Sequence, residues 1–418
     1  MELTVDYNST DINVIPKDWN RLPLGDAIRI QSGYAFKSER YTDIGVPIIR
    51  ISDIQDHFVE ITNSVYYPEI LLPLMFKVFE GDILIAMSGA TTGKVGVYIN
   101  STVAYQNQRV GKFVILDTSK TDPKFINQLV QSSTFRLRLN IFLEQGAQPN
   151  ISGKQIESLL FAFPSTIAEQ TIIASTLIDV DALVNNLEKL ITKKRNLKQG
   201  TVQALLSGKK RLPGFSRKWE EKKLSETSTL KARIGWQGLT TAEYLDQGDY
   251  ILVTGTDFQD GVINWDSCHY VDENRYSQDK NIQLKPNDIL VTKDGTIGKV
   301  AYISQVPKPA TLNSGIFVIR PKDNNYLPHF FYYLLNSIYF ERFLNQLSAG
   351  STIVHLYQKD FIHFVFPLPP TLEEQEAIVQ ILSEMDAEIE QLERKLSKYK
   401  MIKQGMMQNL LTGKIRLI

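Results

Sequence analysis

The chain has 418 residues, 43% of them apolar, with 46 basic and 46 acidic side chains and one cysteine; that length allows two or more domains, each with its own core. The lone Cys268 excludes an intrachain disulfide and a cysteine-rich zinc site, and it points to a reducing compartment, the cytoplasm. No apolar run reaches the roughly 20 residues of a membrane helix, and zero net charge offers no electrostatic argument for a nucleic-acid partner.

The N-terminus "MELTVDYNSTDINVIPKDW" lacks the basic start and apolar core of a secretory signal. Residues 1–163 read as a first globular head. Short β-branched runs ("VPIIRISDI", "GDILIAM", "GKFVIL") are bounded by Gly, Asn, Asp and Pro, the mark of strands and turns. A helical stretch, "DPKFINQLVQSSTFRLRLNIFLEQ", follows, then a polar glycine loop, "GAQPNISGKQ" (146–155), and a short apolar strand.

Residues 164–211 predict a long helix. Thr166 and Glu169 after Pro164 have the spacing of a capping box, with the threonine accepting from the Glu169 N–H and the glutamate reaching back. Ile173, Leu177, Val180, Val184, Leu187 and Ile191 then recur at alternating steps of four and three, a 3.5-residue period that marks a coiled-coil seam. Gly208 after a leucine pair is the expected left-handed stop.

Residues 212–369 predict a second head of the same kind, with "DYILVTGTDF", "NDILVT" and "GIFVIR" as strands. The helical stretch is "LPHFFYYLLNSIYFERFLNQL" and the polar loop "AGSTIVHLYQKD" (349–360). Residues 370–418 predict the second long helix, opened by Pro369, Pro370, Thr371 and Glu374 and closed at Gly413. Its seam is Ile378, Leu382, Met385, Ile389, Leu392, Leu396 and Tyr399. Each helix is about 42 residues, roughly 60 Å. Both are acidic early and basic late, so an antiparallel pair sets acid beside base where a parallel pair sets acid beside acid.

The two halves repeat each other. Lys198–Leu212 and Lys403–Leu417 are identical at ten of fifteen positions. Glu169-Gln170 aligns on Glu374-Gln375, Gly81–Tyr98 on Asn287–Ile303, and Trp19 answers Trp219. The expected fold class is therefore α+β: two mixed β-rich domains separated by two long antiparallel coiled-coil helices, related by an internal pseudo-two-fold repeat. The heads differ most in their loops ("GYAFKSERYTDIG" against "GWQGLTTAEYLDQG"), as two binding modules with different targets would.

Several chemistries are excluded. "GATTGK" (89–94) and "GTIGK" (295–299) are not P-loops, because valine follows each lysine and the glycines are too close. There is no G-x-G for a nucleotide cofactor. His57, His269, His329, His355 and His363 show no ligand spacing. E-x-K at Glu220–Lys222 and Glu393–Lys395 lacks the second acidic motif of a nuclease, and no Asn/Asp-Pro-Pro-aromatic stretch exists to hold a flipped adenine. No catalytic residue is expected.

"FPSTIAEQ" and "LPPTLEEQEAIV", "GDILIAMSGATTGKVG" and "NDILVTKDGTIGKVA", with the "LLSGK" and "LLTGK" endings, together resemble the specificity subunit of type I restriction-modification enzymes over nearly the whole chain. The first helix departs from that pattern in lacking the double proline. The resemblance implies that each head is a target-recognition domain reading one half of a bipartite double-stranded DNA site. It implies that the helices act as a spacer and dock two methyltransferase subunits, with restriction/translocase subunits in the full complex. S-adenosylmethionine and ATP chemistry then belong to partner subunits, and this chain needs no cofactor. By segment the net charge is −2 for 1–163, +4 for 164–211, −1 for 212–369 and −1 for 370–418. Neither head is a basic domain, so local basic loops and partner surface must supply the attraction to DNA.

Polar loop residues able to meet base edges or phosphates are the candidate contacts. In the first head these are Ser88, Thr91, Thr92, Lys94, Asn107, Arg109, Gln148, Asn150 and Lys154. In the second they are Trp236, Gln237, Lys293, Thr296, Lys299, Asn313, Ser314, His355, Tyr357 and Lys359. Lys94 and Lys299, each after glycine in a polar turn, suit phosphate positioning. Two other readings fit parts of the pattern: a solitary DNA-modifying enzyme, and a non-enzymatic coiled-coil scaffold binding protein or sugar ligands. Inserting four residues near Leu187, about 6 Å of helix, is expected to lengthen the gap between half-sites if the helices are a spacer.

Overall fold

The computed structural model describes residues 7–10, 13–61, 65–69, 72–143, 150–348 and 355–417, with side chains from Ile15 onward except that of Trp236. The protein forms two compact units. One consists of Met1–Glu188 with Arg394–Ile418, the other of Lys189–Glu393. Among the described residues no helix is long and apolar enough to cross a membrane.

The first unit is built on a five-stranded sheet in the order Ile28–Ser32, Val110–Ile115, Ile83–Ala86, Val95–Tyr98, His57–Val59. A four-stranded sheet runs Val65–Tyr67, Val46–Ile49, Ala104–Gln106, Lys77–Val78. Helices Pro123–Val130 and Ser133–Leu143 lay Phe125, Leu129, Phe135 and Leu139 into a core with Ile85 and Phe113 of the larger sheet. Alternating burial such as Ile28 and Ile30 in, Arg29 out, follows the two-residue strand period.

The second unit repeats this order with one strand fewer in each sheet. Ser228–Lys231, Ile316–Pro321, Ile289–Thr292 and Val300–Tyr302 form one sheet, and His269–Val271, Tyr250–Val253 and Ala310–Leu312 another. Pro328–Leu335 and Ile338–Leu347 are its packing helices. In both units the strand that delivers the chain to a long helix pairs antiparallel with the strand opening the head. The pairs are Leu160–Pro164 on Trp19–Pro23 and Val365–Leu368 on Glu220–Lys223.

The long helices span Ile167–Leu206 and Leu372–Leu410, and each contributes one half to either unit. In the first unit Asp181 pairs with Lys403 (2.5 Å) and Glu188 with Lys400 (2.7 Å). In the second, Lys194 pairs with Glu388 (2.5 Å), Arg195 with Glu393 (2.6 Å), and Lys198 with Asp386. From Asp181–Lys403 to Glu188–Lys400, and from Lys194–Glu388 to Lys198–Asp386, residue numbers rise along one helix as they fall along the other, so within each unit the halves run antiparallel, as the charge pattern predicts. Such partly exposed pairs add little stability each, but the parallel alternative would oppose like charges. All the seam residues are buried or half-buried. Ile173 and Leu177 do more than line a seam: they join the first head's core with Leu410 and Leu411, as Ile378 and Leu382 join the second's with Leu205 and Leu206.

The repeated endings have a structural cause, and here the capping-box expectation needs correction. Thr166 and Thr371 do cap, accepting from the Glu169 and Glu374 N–H at 3.3 and 3.4 Å. The glutamates do not reach back. Glu169 takes two hydrogen bonds from Arg416 (2.7 and 2.8 Å) and one from the Trp19 indole (3.2 Å). Glu374 takes the same set from Arg211 (2.7 and 2.8 Å) and Trp219 (3.2 Å). Each carboxylate is buried, and a bidentate guanidinium plus an indole N–H satisfies it better than one backbone N–H. The neighbouring glutamines clamp backbone: Gln170 accepts from the Asp122 N–H (2.9 Å), and Gln375 from the Leu327 N–H (2.8 Å).

Gly208 and Gly413 adopt φ of +66° and +73°, the left-handed stop. A Cβ on Gly413 would lie 2.5 Å from Pro16 Cδ, whereas one on Gly405, inside the helix, meets nothing within 4 Å. Opposite outcomes are expected in urea denaturation. Gly413→Ala destabilises by at least about 1 kcal/mol, and Gly405→Ala stabilises by up to about 1 kcal/mol.

Candidate nucleic-acid interface

Three polar loops meet in each head through one repeated backbone frame. In the first head the Met87 N–H donates to the Arg109 carbonyl (3.0 Å), and the Met87 carbonyl accepts from Ile151 N–H (2.9 Å). In the second, Lys293 N–H donates to Gly315 C=O (2.9 Å), and Lys293 C=O accepts from Leu356 N–H (2.8 Å). One residue further on, Ser88 bridges to Asn150 and Asp294 to His355. The frame thus gathers segments 87–94, 107–109 and 150–154 in one head, and 293–299, 313–315 and 355–359 in the other.

Side chains on this frame differ. Ser88, Arg109 and Asn150 line an open cleft of about 700 Å3 in the first head, with Gln108 and Ala90 beside them. The matching positions of the second head are Asp294, Gly315 and His355. His355 contacts the Asp294 carboxylate through Nδ1 and packs on Tyr357 at 4.5 Å, with Lys359 Nζ 5.4 Å from the Tyr357 ring centre. Asn313 donates to the Tyr244 hydroxyl (2.6 Å) and accepts from Ser314 N–H (2.7 Å). One face offers an exposed guanidinium, the other a carboxylate–imidazole pair beside an exposed aromatic. In the major groove these suit different base edges, guanine for the first and a cytosine amino group for the second.

The glycine turns are strand connections. Residues 87–94 link Ile83–Ala86 to the antiparallel Val95–Tyr98, and no helix follows, which is the wrong context for a P-loop. Gly93 and Gly298 have φ of +86° and +83°, and a Cβ there would lie 2.7 Å from Leu139 Cδ2 or 2.4 Å from Leu344 Cδ1. The repeated "GK" therefore records close packing of turn on helix.

The other expected contacts divide. Lys299 and Thr296 are exposed in the second head's turn and Lys154 in the short helix Gly153–Glu157, while Asn107 is half-buried. Lys94 donates to Gln55 Oε1 (3.2 Å), so its ammonium is partly committed inside the head. Thr91 and Thr92 donate to the Ile51 and Gly89 carbonyls (2.8 and 2.6 Å), leaving only acceptor capacity. Lys293 is half-buried with Nζ 5.6 Å from the Phe317 ring. Gln237 is a correction: at the end of the 3-10 turn Gly235–Gln237 it is 6% exposed with its Oε1 buried, so its amide oxygen is withdrawn from a partner outside the head. Gln148 and the Trp236 side chain lie outside the described residues. The same loops also present Gln108, Tyr244 and Asp294, which sequence reasoning did not name. The signal for Asp294 was present, since it fills Ser88's place in the aligned "GDILIAMS" and "NDILVTKD". Among the described residues no group of His, Cys, Asp and Glu can hold a metal ion.

Arg109→Ala is expected to relax discrimination at one base pair by about 1–3 kcal/mol while leaving the other half-site's preference intact. Methylation mapping of a variant-bearing complex reads both.

The family model for the type I restriction modification DNA specificity domain matches the chain twice, at residues 16–199 and 216–398. The type I restriction enzyme MjaVIII specificity subunit of Methanocaldococcus jannaschii is 24% identical, over 96% of this chain and 94% of that protein. The type I restriction enzyme EcoBI specificity subunit of Escherichia coli is 24% identical, over 94% of this chain and 84% of that one. The crystal structure of the S subunit of a type I restriction-modification system from M. genitalium shares the fold, with a TM-score of 0.60 at 19% identity over 96% of this chain and 97% of that one. The two matched stretches take in both heads and most of both long helices, and the repeated loop frame falls inside them: this chain belongs to the type I restriction modification DNA specificity family.

Proposed function

We propose that this chain is the sequence-reading subunit of a type I restriction-modification complex in the cytoplasm, each head recognising one half of a bipartite double-stranded DNA site. The observation that carries this reading is the loop frame of Met87 and Lys293, identical in backbone bonding and different in the side chains it presents. A duplicated frame with divergent polar groups is what two readers of unlike sequences require. The long helices set the separation of the half-sites and dock two methyltransferase subunits, and restriction/translocase subunits complete the assembly. Catalysis resides in those partners, with S-adenosylmethionine and ATP bound there. A solved chain from work on complex assembly of the type I restriction-modification system has the same fold, with a TM-score of 0.59 at 16% identity.

Mapping genomic methylation with this chain present and absent, alongside its partner subunits, tests the proposal. One split motif should vanish with the chain. Methyl transfer by the purified chain alone would overturn it, as would a contiguous motif.

A further inference from the structure

In the first unit a cavity of about 20 Å3 is walled by Thr134, Arg138, Phe161 and Thr412, with Arg21 at its exposed mouth. The Arg138 guanidinium carbon lies 4.7 Å from the centre of the Phe161 ring, and its buried Nη1 has no hydrogen-bond partner among the described residues. Burial, with the nearby charge of Arg21, lowers the Arg138 pKa from its ordinary value. Two guanidiniums therefore share one small space, and among the described residues no carboxylate is in its walls. Like charges so placed repel unless an anion stands between them.

The second unit is built differently at both places. Arg21 sits opposite Ala162 in its strand pair, and the same register places Glu221 opposite Pro367. At the offset that sets Tyr339 on Thr134, Phe343 answers Arg138. Only the first unit puts a guanidinium at both positions.

We propose that the Arg21–Arg138 cavity is a seat for one small oxyanion of the phosphate class, which stands between the two guanidiniums. A space of this size admits about one water-sized group, so one anion oxygen enters to meet Arg138 Nη1. The remaining oxygens stay at the mouth against Arg21. The planar guanidiniums provide the paired donors that tetrahedral oxyanions accept. The Thr134 hydroxyl adds a further donor, whereas that of Thr412 is committed to the Gln408 carbonyl (2.5 Å). Because the walls come from the head strand, the head helix and the end of the second long helix, the anion fastens three segments. Its binding is coupled to the stability of the unit.

Thermal unfolding of the full chain in inorganic phosphate, against chloride at matched ionic strength, tests this. Phosphate raises the Tm of the unaltered chain by about 3 °C for each tenfold excess over its Kd. Arg138→Met keeps an apolar stem on Phe161 and loses the phosphate response. Arg21→Glu, at an exposed position, loses it too and becomes less dependent on any added anion. A phosphate shift no larger than that of chloride, or one that persists in both variants, overturns the proposal.

Discussion

Arg416→Ala destabilises the first unit by about 3–5 kcal/mol, the expected cost of stripping the partner from a buried carboxylate. Glu169 is 1% exposed and holds Arg416 through two hydrogen bonds of 2.7 and 2.8 Å. Without the guanidinium, the Trp19 indole N–H at 3.2 Å is the one side-chain donor left to that carboxylate among those described. Arg416 also binds Asp18 at 2.8 Å, so its loss frees the chain end from the start of the head. Arg416→Lys should recover only part of the loss, because an ammonium cannot donate in the paired planar geometry. Arg211→Ala is the same experiment on Glu374 and the second unit. Urea denaturation followed by tryptophan fluorescence separates them, because Trp19 is the one tryptophan of the first unit's sequence and the other three belong to the second: a loss under about 1 kcal/mol for both variants would mean the buried pairs carry no net weight.

Inserting four residues after Glu188 together with four after Glu393 moves the recognised half-sites apart by one to two base pairs, with both half-site sequences unchanged. The two insertion points are where each long helix passes from one compact unit to the other. Four residues add about 6 Å of helix, against about 3.4 Å for each base-pair step. The helical face is nearly kept because four residues make little more than one turn. Insertion near Leu187 alone would slide one helix against the other and set Lys194, Arg195 and Lys198 out of register with Glu388, Glu393 and Asp386. The single insertion should therefore lower stability, and only the paired one should yield a clean change of gap. Methylation mapping measures the gap directly, and an unchanged gap in the paired variant would refute a spacer role for the helices.

Much of the architecture is legible in residue order. The four-three spacing from Ile173 to Ile191 and from Ile378 to Leu396 places both seams, and each predicted position is buried or half-buried. The drift from acid to base along each helix predicts the antiparallel pairing that Asp181–Lys403 and Lys198–Asp386 make. The offset repeat predicts two heads of one kind, and the strands the sheets share follow the same order in both, the second head having one strand fewer in each sheet. The loops were harder to read. Gln237 has the composition of a contact residue yet is buried, and Lys94 leans on Gln55. Loop side chains follow no period, so nothing local says which way they point.

Residue order by itself determined the elements: period, caps, breaks and the duplication depend on near neighbours and leave their mark within a few turns of chain. Only the tertiary structure decided the partners. Glu169 was expected to reach back three residues, but it found Arg416, 247 residues away. Arg21 and Arg138 carry no sign in the sequence that they share a cavity. Helix and strand periods arise from backbone geometry repeated residue by residue. The pairing of a buried charge is settled by whichever donor the whole fold brings within hydrogen-bond reach once water is excluded.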